Sequence, residues 1–264
     1  MKKKSGKSKR KESGRGTTQR VLSVLSLLAD KREALSIQSA ADELGLAAST
    51  THRLLNSLRD QGFVAYIPAT RSYTIGPEFL RVAARVTSGA SVVDLAQTFC
   101  DELAGRYDET ILFGSYLPKQ RAMCFSVRAD GKKRLQYVIE MHTPLSLVWG
   151  ASGKAILAHL SSDEIKQIFA AEKKSPATGA PKPSFKIFCR TLAEVRERGF
   201  VFTDAEKLPD ARGVAAPVFA PAGVIGSLTL TSPLERFPHD PNVVGQEIAS
   251  AAAKLTRQIG GDLP

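Results

Sequence analysis

Between residues 36 and 76 the apolar positions fall first at helical and then at alternating spacing, in the run SIQSAADELGLAASTTHRLLNSLRDQGFVAYIPATRSYTIG. Ile37, Ala40, Ala41 and Leu44 recur on one face of a helix for which Ser36 is the expected N-cap, its hydroxyl satisfying an orphan backbone N–H. Gly45 stops that helix, because glycine reaches the left-handed conformation at a helix C-terminus without steric cost. A second helix buries Thr51, Leu54, Leu55 and Leu58 and turns Ser49, Thr50, His52, Arg53, Asn56 and Arg59 outward. Gly62 ends it, and the segments Phe63 to Ile67 and Ser72 to Ile75 read as strands joined by a turn at Pro68 to Arg71. Helix, tight turn, helix and two-stranded ribbon is the layout of a winged helix-turn-helix.

Further along, Pro77 to Val93 has a helical period with Phe79, Leu80, Val82, Ala83 and Val86 as its apolar positions, which suits a linker helix able to dimerise. Beyond it, helices are expected over Asp94 to Tyr107, Ser152 to Leu160, Ser162 to Ala171, Thr191 to Arg198 and Asn242 to Ile259. Strands are expected over Thr110 to Tyr116, Arg121 to Val127, Phe200 to Thr203, Gly213 to Phe219 and Ile225 to Thr231. This order predicts an α+β chain in which helices pack on an antiparallel sheet. The Pro- and Lys-rich stretch AEKKSPATGAPKPSFK, residues 171–186, reads as a mobile surface loop.

Charge changes the picture only at the N-terminus. Residues 17–80 carry six basic and six acidic side chains, so the winged lobe is formally neutral. Residues 1–16, MKKKSGKSKRKESGRG, hold eight basic residues against one acid and supply most of the net charge of +11. With too little apolar surface to offset its ordering entropy, this tail is expected to be disordered, as an arm drawn to phosphates or as a solubilising tail. It lacks the apolar core of a signal peptide, and the chain has no run of about 18 apolar residues for a membrane span, so the expected location is the cytoplasm. Cys100, Cys124 and Cys189 are widely spaced in apolar surroundings and read as buried thiols. The four histidines show no ligand spacing with one another or with cysteine, so no metal and no cofactor are expected.

From about Thr17 to its C-terminus the chain resembles the IclR-type bacterial transcriptional regulators. The resemblance rests on TTQRVLSVLSLLA, LGLAASTTHRLLNSLRDQGFV, ASGKAILAHL, VRERGFVFTDAE and VAAPVFAPAGVIGSLTLTSP, in that order and spacing. It implies a winged helix-turn-helix over residues 17–78, a linker helix over 79–92 and a GAF-like effector-binding domain over 93–264. It also implies double-stranded operator DNA and a small carboxylic or aromatic acid as partners, with self-association as a dimer or tetramer. The implied effector site comprises Leu145, Trp149, Gly150, Ala151, Ser152, Asp204, Gly213, Thr229 and Thr231. The chain departs from the family pattern there: Gly213 stands where many relatives have a cysteine, and Thr229 and Thr231 where they have serines. Alternation along a strand brings both threonine hydroxyls to one face. Trp149 is either a pocket wall that makes the site more apolar or a core residue.

An enzyme is the main rival. GASGKAI superficially resembles a phosphate-binding loop, but Val148 occupies its first glycine position and Ala155 the position of its metal-binding hydroxyl. No G-x-S-x-G elbow, H-E-x-x-H pair or cluster of titratable residues points to a nucleophile or general base. A second rival is a C-terminal domain that only assembles. In helix-turn-helix docking the N-terminal half of the second helix enters the major groove, so Ser49, Thr50, His52, Arg53 and Asn56 become the DNA-facing set. Arg53 is the candidate for a guanine contact, with a phosphate clamp or an internal salt bridge as its alternatives. Thr50 on that helix and Arg71 on the wing turn are expected to touch phosphates.

Overall fold

A computed structural model describes residues 16–31, 33–87, 91–133, 137–237 and 240–263. The basic tail lies outside them. The chain divides into two compact units that join at residues 89 and 90.

The N-terminal unit contains helices α1 (Thr17–Asp30), α2 (Ile37–Leu44) and α3 (Ala48–Asp60), a ribbon of β1 (Val64–Ile67) and β2 (Ser72–Ile75), and helix α4 (Pro77–Thr87). Helix α2 begins where Ser36 Oγ accepts the Ser39 N–H at 3.1 Å and ends at Gly45, whose φ of 65° is left-handed. Helix α3 buries Thr51, Leu54, Leu55 and Leu58 against Val24, Leu28, Ala40, Val64 and Tyr73. The buried Thr51 hydroxyl is satisfied by the Ala47 carbonyl at 3.3 Å. The ribbon pairs Val64 with Ile75 through Ile67 with Ser72, and Leu35 adds a bridge to Tyr73 through two backbone hydrogen bonds.

In the second unit, helix α5 (Val92–Tyr107) and helix α9 (Pro241–Gln258) cover one face of a sheet. The sheet comprises β3 (Thr110–Leu117), β4 (Ala122–Ala129), β5 (Val201–Asp204), β6 (Ala211–Ala220) and β7 (Gly223–Pro233) in the order β4-β3-β7-β6-β5, with every pair antiparallel. Helices α6 (Ala151–Leu157), α7 (Ser162–Ala171) and α8 (Phe185–Arg198) pack on the other face, so the unit has two cores separated by the sheet. The fold is α+β, with the sheet buried on both sides.

Several boundaries differ from the sequence reading, each for a local reason. The linker helix does not run through to Val93. Ser91 and Asp94 form a capping box, each side chain accepting the other's backbone N–H, and this starts α5 at Val92. Helix α8 begins at Phe185 rather than Thr191, because Ser184 Oγ caps the Ile187 N–H. The preceding loop is tied down: buried Ser175 donates its hydroxyl to the Glu206 carbonyl at 2.7 Å, and Lys182 Nζ donates to the Phe169 carbonyl at 2.6 Å. Among the cysteines only Cys100 is buried, its thiol pushed up to about 12 by that burial; Cys124 and Cys189 are half-buried. Among the described residues no helix is long and apolar enough to cross a membrane.

A bulge in β4 decides which of its side chains reach each core. Phe113 pairs with Val127 but Gly114 pairs with Phe125, which leaves Ser126 as an extra residue. Such a slip reverses which face a strand presents. Val127 and Ala129 therefore join the α5–α9 core, while Met123 and Phe125 turn to the α6–α8 side.

Candidate functional site

The loop before α6 doubles back on itself. Leu147 and Val148 are fully buried anchors, Ser146 Oγ accepts the Val148 N–H at 3.0 Å, and Gly150 adopts a φ of 83°. These constraints hold the loop over the sheet, and the two flank a partly open cavity of about 480 Å³. From the loop and helix side, Leu145, Trp149, Gly150, Ala151 and Ser152 line it. From the sheet come Gly213 on β6 and Thr229 and Thr231 on β7, the two threonines sharing a face as period two requires. Ser152 Oγ and Thr229 Oγ1 lie 2.9 Å apart in a buried hydrogen bond.

Asp204 lies elsewhere. Strand β5 alternates, so Thr203 lines the cavity, while Asp204 points away and accepts two hydrogen bonds from Arg212 at 2.6 Å each. The sequence reading had the right strand and the wrong parity. Trp149 fulfils both of its alternatives: it is 6% exposed within the α6–α8 core, it lines the cavity, and its indole N–H reaches Glu172 Oε2 at 2.9 Å.

Sequence reasoning passed over the charged groups around this cavity. Glu206 pairs with buried Lys154 and accepts the Gly150 N–H at 3.1 Å. The neighbouring Lys207 also lines the cavity, with its ammonium nitrogen shielded from solvent and no hydrogen-bond partner. The nitrogen sits 5.4 Å from the centre of the Phe125 ring. Burial pushes the Lys207 ammonium down to about 8, against the pull of the Glu172 carboxylate. In sequence, AEKLPD looks like a solvated turn, and only the loop folding over the cavity gives its lysine another role.

On the N-terminal unit, α3 presents Ser49, His52 and Arg53 as exposed side chains, with Thr50 and Asn56 half-buried. Asn56 Nδ2 and His52 Nε2 are 3.0 Å apart, which fixes these two amide and imidazole groups against each other. Among the described residues Arg53 has no ion-pair or hydrogen-bond partner, which removes the internal salt bridge as an explanation for it. Arg71 is exposed at the wing turn with a left-handed φ of 51°.

Residues 84–259 match the family described as "Bacterial transcriptional regulator IclR C-terminal", and residues 17–68 match the "IclR helix-turn-helix domain". The chain belongs to the IclR family. It is 25% identical over 245 residues to the HTH-type transcriptional regulator KdgR of Escherichia coli (strain K12), covering 91% of each chain. It is 28% identical over 250 residues to the glycerol operon regulatory protein of Streptomyces griseus, covering 92% of this chain and 95% of that one. A crystal structure of a putative IclR transcriptional regulator from Silicibacter sp. superposes with a TM-score of 0.84 at 24% identity, covering 94% of this chain and 98% of the other. These relatives are regulators of transcription rather than enzymes, and the chain is a DNA-binding member of that family.

Proposed function

We propose that this regulator reads an operator through α3 and the wing, and that a small organic acid, carboxylic or aromatic, occupying the cavity biases that binding. The observation that carries the second half is the cavity itself, a partly open pocket of about 480 Å³ with an apolar frame and a few oriented polar groups, the usual composition of a small-molecule site. Self-association as a dimer or tetramer belongs to the same proposal, since two reading heads must match two half-sites on one face of the duplex. Leu80, 62% exposed, and Val82 on α4 support it as apolar positions available to a second copy. The tail, with its eight basic residues, would add salt-dependent attraction without sequence preference.

For the DNA half, Arg53→Ala is expected to cost ~1 to 3 kcal/mol at the operator and to relax preference at one base position, whereas Arg71→Ala weakens all sequences about equally. Binding of both variants to the operator and to single-base operator variants, at fixed salt, checks this. Equal loss of Arg53→Ala on operator and random DNA removes the base contact.

For the effector half, a ligand shifts an equilibrium only by its differential affinity for the two states, and the effect is reciprocal. Operator DNA should therefore change effector affinity by the same factor by which effector changes operator affinity. Equal effector affinity with and without operator, for a ligand bound in this cavity, would leave a domain that assembles and carries an incidental cavity.

A further inference from the structure

We propose that Lys207 selects the ligand of this cavity, which takes a monocarboxylic acid in its anionic form, its carboxylate against the Lys207 ammonium and its apolar body against Phe125, Trp149 and Leu112. The inference rests on the cavity being the effector site.

Most of the buried polar groups around the cavity are otherwise engaged, while Glu140 and Lys174 line it from exposed positions. Glu206 is held by Lys154 and by the Gly150 N–H. Glu172 accepts the Trp149 indole N–H. Ser152 and Thr229 bond each other, and Thr231 Oγ1 donates to the Arg212 carbonyl at 3.4 Å. Among the described cavity-lining side chains, Lys207 Nζ is the one buried nitrogen or oxygen without a partner. No ion pair joins it to Glu172. A shielded ammonium with no direct ion pair or hydrogen bond is costly to maintain, and the cost is relieved when an anion arrives. One shielded, unpaired cation calls for one carboxylate, since Lys174, the other lining cation without an ion pair among the described residues, is exposed and already hydrated. A second carboxylate inside the apolar frame would meet no further shielded cation, whereas a neutral hydroxyl could meet Thr203 and the Ser152–Thr229 pair.

The protonation of Lys207 gives the affinity a pH signature. Glu140, Glu172, Glu206, Lys154 and Lys174 are the other charged groups around this cavity, on the loop before α6, the C-cap of α7, the β5–β6 loop, α6 and the loop after α7. With the empty-state ammonium lowered to about 8, it is already charged at pH 7, and affinity for an anion is level there. Above about pH 8 binding requires proton uptake, so the affinity falls by up to about tenfold per pH unit until the raised pKa of the bound state is reached.

The test uses the full chain with cyclohexanecarboxylate and hexanoate, each compared with its primary amide, by calorimetry and by the fluorescence of Trp149, the single tryptophan, on the cavity wall. An acid should bind at least about tenfold tighter than its amide and change Trp149 emission. Lys207→Met should abolish that preference, and Lys207→Arg should retain part of it. Without ligand, Lys207→Met should melt several degrees higher, because an apolar stem replaces a shielded unpaired charge. Should Lys207→Met fold poorly, Lys207→Gln and the pH profile of the unaltered chain read the same point.

Equal binding of acid and amide, both sensed by Trp149, overturns the anion while leaving the cavity as a ligand site. An acid preference that survives Lys207→Met, or a level affinity from pH 7 to 10, overturns Lys207 as the anchor. Calorimetric binding of the acids with Trp149 silent puts the ligand elsewhere and overturns the effector reading of the cavity as well. Absence of binding by both acids at millimolar concentration overturns the inference.

Discussion

Gly153→Val is expected to destabilise the C-terminal unit by more than about 3 kcal/mol and to lower its melting temperature by roughly 6 to 12 °C. A Cβ at this position would lie 2.5 Å from the Leu147 carbonyl oxygen and 2.7 Å from the Leu147 carbonyl carbon and Cα, well inside contact distance of backbone atoms. The backbone cannot retreat, since Leu147 and Val148 are packed into the α6–α8 core. The loop carrying Trp149 and Gly150 closes over the cavity only because α6 and that loop touch through a residue without a side chain. Gly213→Ala is the comparison, because its Cβ would meet Ala151 Cβ at 3.4 Å and Thr203 Oγ1 at 4.0 Å, both ordinary contacts. It should cost under about 1 kcal/mol and occupy cavity space instead. Thermal unfolding of both variants decides the matter; a Gly153→Val melt within about 2 °C of the parent would mean that the loop has room the packing does not suggest.

The contrast between what was and was not legible tracks the range of the signals. The buried face of α3, the cap at Ser36 and the stop at Gly45 are written within a dozen residues, and the fold agrees with each of them. The shared face of Thr229 and Thr231 needed only strand alternation. Asp204 needed one thing more, the phase of a four-residue strand, and a slip of one residue exchanged it for Thr203. Phe125 was out of reach because Ser126 is an unpaired bulge residue, and nothing in AMCFSVRA signals that the strand reverses its faces there. Lys207 and Glu206 look like any charged turn until Ser175, some thirty residues earlier, hydrogen-bonds the Glu206 carbonyl and draws the loop across them. The fold could be read because its signals are local; the cavity's charged groups could not, because their surroundings are assembled from distant segments.

Leu55→Ala is expected to cost the N-terminal unit about 2 to 5 kcal/mol. Leu55 is fully buried on α3, in a core with Val24, Leu28, Ala40, Val64 and Tyr73, so truncation leaves a void under the helix proposed to read DNA. Small domains have only about 5 to 15 kcal/mol in total, so the competent fraction should fall measurably at growth temperature. Apparent operator affinity then falls by that fraction without any change in base preference, which separates this loss from that of Arg53→Ala. A domain of this size should melt at least about 10 °C lower by far-ultraviolet circular dichroism. Trp149, the single tryptophan, lies in the other unit, and its fluorescence transition should move by less than about 2 °C if the two units unfold independently. Joint displacement of both transitions would mean that the division at residues 89 and 90 is not a boundary of folding, and that a cavity ligand and the reading helix share one cooperative unit.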